Sequence, residues 1–129
     1  MKRFTSKTQK IGETGENICA TFLLNNGFII KERNYTIPKG EIDIIAEKEN
    51  ILHFIEVKSL QVDNTENVSY ETYNPAENMT KSKIQKCWTA INHYKAENFV
   101  SCETQLDLYM VYIDKNLIKH KISRIENIF

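Results

Sequence analysis

The sequence predicts an α/β sandwich with a central mixed sheet, on three observations. Two segments carry apolar residues at helical spacing, five short runs are rich in Ile, Val and aromatic residues, and the two kinds alternate in the order α-β-β-β-α-β-β. With 129 residues, 41% hydrophobic and 26% charged, the chain falls in the range of one globular domain, expected over residues 1–129, with a substantial core. No apolar run approaches the roughly 18 residues that cross a bilayer. The basic, polar start MKRFTSKTQK lacks the apolar stretch of a secretory signal, so the expected location is cytoplasmic with no membrane partner.

The first helix is expected from about Ser6 to Asn26, with Ile11, Gly15, Ile18 and Phe22 on one face and Gly27 placed to stop it. FIIKERNY (Phe28 to Tyr35), IDIIA (Ile42 to Ala46) and ILHFIEVK (Ile51 to Lys58) read as strands, with PKG and EKEN as the turns between them. Their apolar residues fall on both alternating faces, as in central strands covered on two sides. Ser59 to Thr80 is polar, holds Pro75, lacks a period and reads as a long loop. The second helix is expected over Lys81 to Glu97, with Ile84, Cys87, Trp88, Ile91 and Tyr94 as a core stripe. It carries Lys81, Lys83, Lys86 and Lys95 with no acid before Glu97. LDLYMVYI (Leu106 to Ile113) and LIKHKI (Leu117 to Ile122), joined through Asp114, Lys115 and Asn116, form a closing hairpin.

Charge is informative in its distribution. Seventeen basic residues balance seventeen acidic ones, so the whole chain does not advertise a nucleic-acid binder. Between Glu41 and Glu77, however, nine acidic residues face two basic ones, which leaves a surplus of seven positive charges elsewhere. An acidic middle between basic flanks suits a metal centre with phosphate-contacting surroundings, and a run of solvated loop carboxylates would give the same balance. Cys19, Cys87 and Cys102 lack CxxC spacing and read as plain thiols. His53, His93 and His120 are scattered without metal-ligand spacing and read as structural or solvated. GxxxxGK[ST], GxGxxG and a nucleophile elbow are all missing, which disfavours nucleotide-driven or serine-based chemistry.

The residues that demand explanation are charges inside apolar strands: Asp43 in IDIIA, and Glu56 and Lys58 in HFIEVK. Glu56 and Lys58 are two apart and share a face, and the EKEN turn folds the Asp43 strand back beside them. Paired carboxylates offer hard oxygen ligands for Mg²⁺ or Mn²⁺, and a neighbouring lysine can orient a water and offset charge on a phosphate, which is phosphodiester hydrolysis chemistry. The same residues would equally make a buried Asp–Lys or Glu–Lys ion pair with no catalytic role. On the first helix Glu16 falls in the angular register of Leu23 and faces inward or towards a cleft, unless it is a solvated acid at the border of an amphipathic helix. Lys81, Lys83 and Lys86 either contact a phosphate backbone or form a solvated helix face.

The stretches GETGENICATFLLNNGFIIKERNY, GEIDIIAEKENILHFIEVKS and YNPAENMTKSK resemble the YraN-like family of bacterial proteins over almost the whole chain. That family is similar to archaeal Holliday junction resolvases and to the restriction-endonuclease-like, PD-(D/E)XK nucleases. The resemblance rests on the order of landmarks: an acid on the first helix, GEID entering a strand, EVK on the next, a long loop, PxxN before a lysine-bearing helix, and an aspartate in a later strand. It implies a restriction-endonuclease-like fold, Glu16, Asp43 and Glu56 as ligands of Mg²⁺ or Mn²⁺, Lys58 as the catalytic lysine and Glu41 as an auxiliary ligand. Lys83 matches the recurrent lysine after PxxN, and with Lys86 it is the expected nucleic-acid contact. The implied partner is nucleic acid, DNA first, with monomer or homodimer left open. Two departures stand out: Leu60 occupies a position where an arginine often follows EVK, and the loop VSYETYNPAEN lacks the usual glycine. A nuclease-fold module that binds nucleic acid or a protein without cleaving is the alternative.

Overall fold

The computed structural model describes residues 7–67, 79–116 and 118–128. Helix α1 spans Lys7–Asn25. It ends because Gly27 takes φ +84°, a conformation that costs a glycine little. Phe28 N then donates to Leu23 O at 3.0 Å and Gly27 N to Leu24 O at 3.3 Å, the paired bonds of a Schellman cap. Leu23 and Phe28 close the cap by packing into one apolar cluster.

Five strands follow among the described residues: β1 Ile29–Ile37, β2 Gly40–Lys48, β3 Ile51–Val62, β4 Glu103–Asp114 and β5 His120–Ile125, in the sheet order β1-β2-β3-β4-β5. Of these strands β3 and β4 pair in parallel, and helix α2, Lys81–Glu97, lies between them in sequence, as a parallel crossover requires. The sheet is therefore mixed, as expected. Thr80 caps α2 by accepting from Lys83 N at 3.2 Å. Neighbouring residues of one strand feed opposite clusters: Ile55 packs with Cys19 and Leu23 of α1, and Phe54 with Cys87, Ile91 and Tyr94 of α2. The helices thus cover opposite faces of the sheet.

Several boundaries differ from the sequence expectation. The first strand is not a central strand covered twice: β1 is a sheet edge, mostly exposed, with Ile29 at 60%. It is tied to α2 by Tyr35, whose hydroxyl meets His93 Nδ1 at 2.7 Å and whose ring stands edge-on to Tyr94. Strand β3 continues to Val62, into the segment expected to be loop, because Leu60 and Val62 pack against Met110 and Tyr112. A 3-10 turn follows at Thr65–Asn67. Pro75, with residues 68–78 of that expected loop, lies outside the described residues. Strand β5 starts three residues later than predicted, and Leu117 also lies outside the described residues. The three cysteines are free thiols, as expected.

Two close approaches set the helices against the sheet. A Cβ added at Gly15 of α1 would lie 2.7 Å from Ser59 Cβ, and one added at Gly40 would lie 2.9 Å from Ala90 N of α2. Each glycine directly precedes an acid of the candidate site, Glu16 or Glu41. Gly15→Ala is expected to destabilise the fold by about 1–3 kcal/mol through overpacking. Adding Ser59→Gly to it should recover most of the loss, which thermal unfolding of the single and double variants measures.

Candidate functional site

The site begins with a break in strand alternation. Ile42 packs with the α2 cluster, yet Ile44, two residues on, packs with the α1 cluster. Ordinary pleating would place both on one face. The same switch occurs in β1, where Arg33 reaches α1 residues and Tyr35 packs towards α2. Between them Asn34 sits at φ +53°, the left-handed region that asparagine tolerates. The β2–β3 ladder ends at Ile44↔Ile55. Beyond it, Asp43 Oδ2 accepts a hydrogen bond from Val57 N at 2.8 Å, so a carboxylate takes a β3 donor where the ladder leaves off.

This anchoring sets Asp43 beside Glu56. Burial pushes the Glu56 carboxyl up to about 9, the nearby Asp43 and Glu41 charges push the same way, and a hydrogen bond from the Asp43 backbone and the charge of Lys83 only partly oppose them. Glu56 Oε1 is itself buried without a hydrogen-bond partner among the described residues. Glu56 and Lys58 open into a cleft of about 250 Å³ between β3 and the start of α2. Its charged lining is Glu41, Glu56, Lys58, Lys83 and Lys86, and its apolar wall is Val57, Met79, Cys87 and Leu108. Cys87 is a buried thiol held well above its ordinary range by burial first and then by the charges of Glu56, Asp43 and Glu41.

Glu16 takes a different place. It lies on the buried line of α1 with Cys19 and Leu23, and its Oε1 stands 3.7 Å from Arg33 Nη2. Burial pushes the Cys19 thiol up to about 12, with Asp43 and Glu16 as the next causes, so both acids act on the α1 side. Asp43 is therefore the hinge of the arrangement, acting on Glu56 towards one helix and on Cys19, beside Glu16, towards the other. Among the described residues no three His, Cys, Asp or Glu side chains form a ready-made metal cage. What fits a divalent cation is the donor set of two adjacent carboxylates, one with a buried oxygen lacking a partner, in surroundings where a positive charge would relieve repulsion.

Sequence reasoning did not find three contributors. Arg33, which holds Glu16 and donates to Asn17 Oδ1 at 2.8 Å, carries no motif of its own. Asn34 was legible only as a residue type that tolerates positive φ. Cys87 reads as a core residue and also walls the cleft. A further buried acid, Asp107, accepts from Gln105 Nε2 and Asn127 N at 2.8 Å and lies 2.7 Å from His53 Nδ1. His53, expected to be structural, has this acid as its partner.

The sequence profile of Uncharacterised protein family UPF0102 matches residues 15–111, a span from α1 to β4 that contains Glu16, Asp43, Glu56, Lys58, Lys83 and Lys86. A UPF0102 protein of a Nitratiruptor species is 38% identical over 113 residues, 88% of this chain and 90% of that one. One from Flavobacterium psychrophilum is 35% identical over 119 residues, 92% of each chain. One from Campylobacter jejuni is 39% identical over 103 residues, 80% of this chain and 84% of its own.

Proposed function

This chain belongs to the UPF0102 family, and we propose that it is a metal-dependent nuclease that hydrolyses phosphodiester bonds in DNA or in structured, branched nucleic acid. The observation that carries the reading is the cleft in which Glu56, set against Asp43, shares its walls with Lys58, Lys83 and Lys86. A carboxylate pair with its own cations nearby gains little as a plain ion pair when one acid is still driven towards protonation. The resemblance of the GEID and EVK segments to the restriction-endonuclease-like nucleases supports the same reading.

Asp43 and Glu56 would hold Mg²⁺ or Mn²⁺, with Glu41 of the same cleft as an auxiliary acid and Glu16 as the further acid that the family resemblance adds. When bound, such an ion acts as a Lewis acid on the phosphate and lowers the pKa of a bound water. The residues of the chain do the rest. Glu56 gives up the proton that its buried surroundings favour. Lys58, two residues along the same strand face, orients the attacking water and offsets charge on the phosphate. Lys83 and Lys86, on the first turns of α2, seat neighbouring phosphates of the strand.

A cleavage panel across linear, flapped and four-way-junction DNA in Mg²⁺ and Mn²⁺ tests this reading, with Asp43→Asn as control. Cleavage of at least one substrate, lost in the variant, is expected. Cleavage of none would leave a nuclease-fold module that only binds. The lysine assignment has its own check: Lys83→Gln with Lys86→Gln should weaken binding alike across sequences and lower the salt slope by about 2. A changed sequence preference with an unchanged slope would rule out phosphate contact by these lysines.

A further inference from the structure

The cleft has an apolar side that the chemistry above does not use. Phe54 of β3 and Leu106 of β4 pack in the cluster under α2, and Glu56 and Leu108 lie two residues further along these strands. They therefore share the α2 face, where the register Glu56↔Leu108 sets them side by side. Cys87 of α2 and half-buried Met79, two residues before the helix, line the same space. Acid, cations and apolar side chains thus meet around one opening of about 250 Å³.

That mixture indicates the ligand. A hydrated metal ion needs oxygen donors and a phosphate needs cations, and neither is served by Met79, Cys87 and Leu108, against which a charge loses hydration uncompensated. A group that carries phosphate and a flat apolar body close together is served by the whole lining, and one nucleotide of a nucleic-acid strand is such a group. Size agrees with it. About 250 Å³ falls just below the range of roughly 300–1,000 Å³ usual for small-ligand pockets, which leaves room for one nucleotide and none for a base pair with both of its backbones. The pairing state follows from the apolar side. In a duplex each base is turned towards its partner strand, so a cleft that receives the backbone meets sugar and phosphate alone. An unpaired nucleotide is free to turn its base onto the wall, as a flipped base is held between apolar side chains.

We propose that the cleft is a site for one unpaired nucleotide of a single strand, with its base against Met79, Cys87 and Leu108 and its flanking phosphates on Lys83 and Lys86. Three apart on α2, these two lysines have Cβ atoms about 5–6 Å from each other, so their long stems reach successive phosphates of one strand. The unbranched thioether of Met79 adapts to any base, so the site reads pairing state and not sequence. The inference rests on the proposed nucleic-acid function of the cleft and names its substrate class: a flap, an overhang or a single strand in preference to an intact duplex.

The test measures binding without cleavage, in metal-free buffer at fixed salt, with three oligonucleotides of equal length: a single strand, the blunt duplex of the same sequence, and a single strand whose central bases are replaced by abasic residues. The intact single strand is expected to bind about tenfold more tightly than either of the others, a difference of about 1.4 kcal/mol. Charge alone gives a different order, because the duplex carries more phosphates per length and the abasic strand carries as many as the intact one. Met79→Ala should weaken binding of the intact strand about fivefold and leave the abasic strand and the salt slope unchanged, since it removes apolar contact and no charge. Met79→Leu, of similar volume, should restore the affinity. A duplex or an abasic strand bound as tightly as the intact single strand overturns the proposal, even in a protein that cleaves. Met79→Ala that binds all three probes as wild type does overturns it, and so does failure of wild-type protein to bind any of them. Preference for the intact single strand in a protein that cleaves nothing upholds the site and removes only the nuclease reading.

Discussion

Glu56→Gln is expected to raise the thermal stability of the metal-free protein at pH 8 and to abolish its Mn²⁺ binding. The Glu56 carboxyl is pushed up to about 9 by burial and by the Asp43 and Glu41 charges, from an ordinary value of 4.5. A group that holds its proton more tightly in the folded state contributes stability that is fully present below 4.5 and is lost as pH rises through about 9. At pH 8 most of that loss has occurred, and an amide, which does not ionise, is spared it. Glu56 keeps some contact with solvent, so the discounted gain is on the order of 2 kcal/mol, roughly 5–10 °C in Tm, and it should vanish at pH 5. Because Glu56 must lose its proton to ligate, wild-type Mn²⁺ affinity should climb with pH up to about 9. Calorimetric unfolding at both pH values, with Mn²⁺ titration, checks both halves. A lower Tm for the variant at pH 8 would show that the ionised carboxylate is held by favourable ion pairs.

The parts of the fold that were legible in the sequence are those set by local spacing. Helix α2 occupies its expected Lys81–Glu97 because a capping Thr80 precedes an amphipathic run and Asn98 ends it. Gly27 marks the stop of α1 for an equally local reason. The edge position of β1 was not legible, since periodicity reports which faces are apolar and not how many neighbours a strand has. Alternation also failed at Asp43, where Asn34 in the facing strand lets both strands switch faces at once. That failure lies at the site itself, where the kink frees a carboxylate to take Val57 N. Asp43, Glu56 and Lys58 could be singled out because charge within an apolar strand is costly. Their relation to Glu16 could not, because it depends on Arg33, a residue 17 positions on whose reach to α1 follows from that same switch of faces.

Lys58→Ala is expected to leave a folded protein that still binds Mn²⁺ and to lower cleavage by about 10²–10³-fold, the usual effect of removing one positioned charge-stabilising group. The geometry separates this from a structural role. Lys58 lines the cleft with Lys83 and Lys86, and Lys83 already acts on Glu56. Two cations therefore remain to balance the carboxylates when Lys58 is removed, and the loss of a half-exposed ammonium should cost no more than about 1 kcal/mol. If Lys58 were only the counterion that holds the acids together, the order of effects would reverse. Stability would fall steeply at neutral pH, where Asp43 and Glu41 repel, and cleavage would fall only as far as the fold does. Lys58→Arg sharpens the comparison, because a counterion role tolerates any cation, whereas a guanidinium spreads its charge and cannot place one compact ammonium against a water. Wild-type Tm in Lys58→Arg together with cleavage close to that of Lys58→Ala is the result expected of a catalytic lysine, and recovery of both Tm and cleavage would assign Lys58 to charge balance alone.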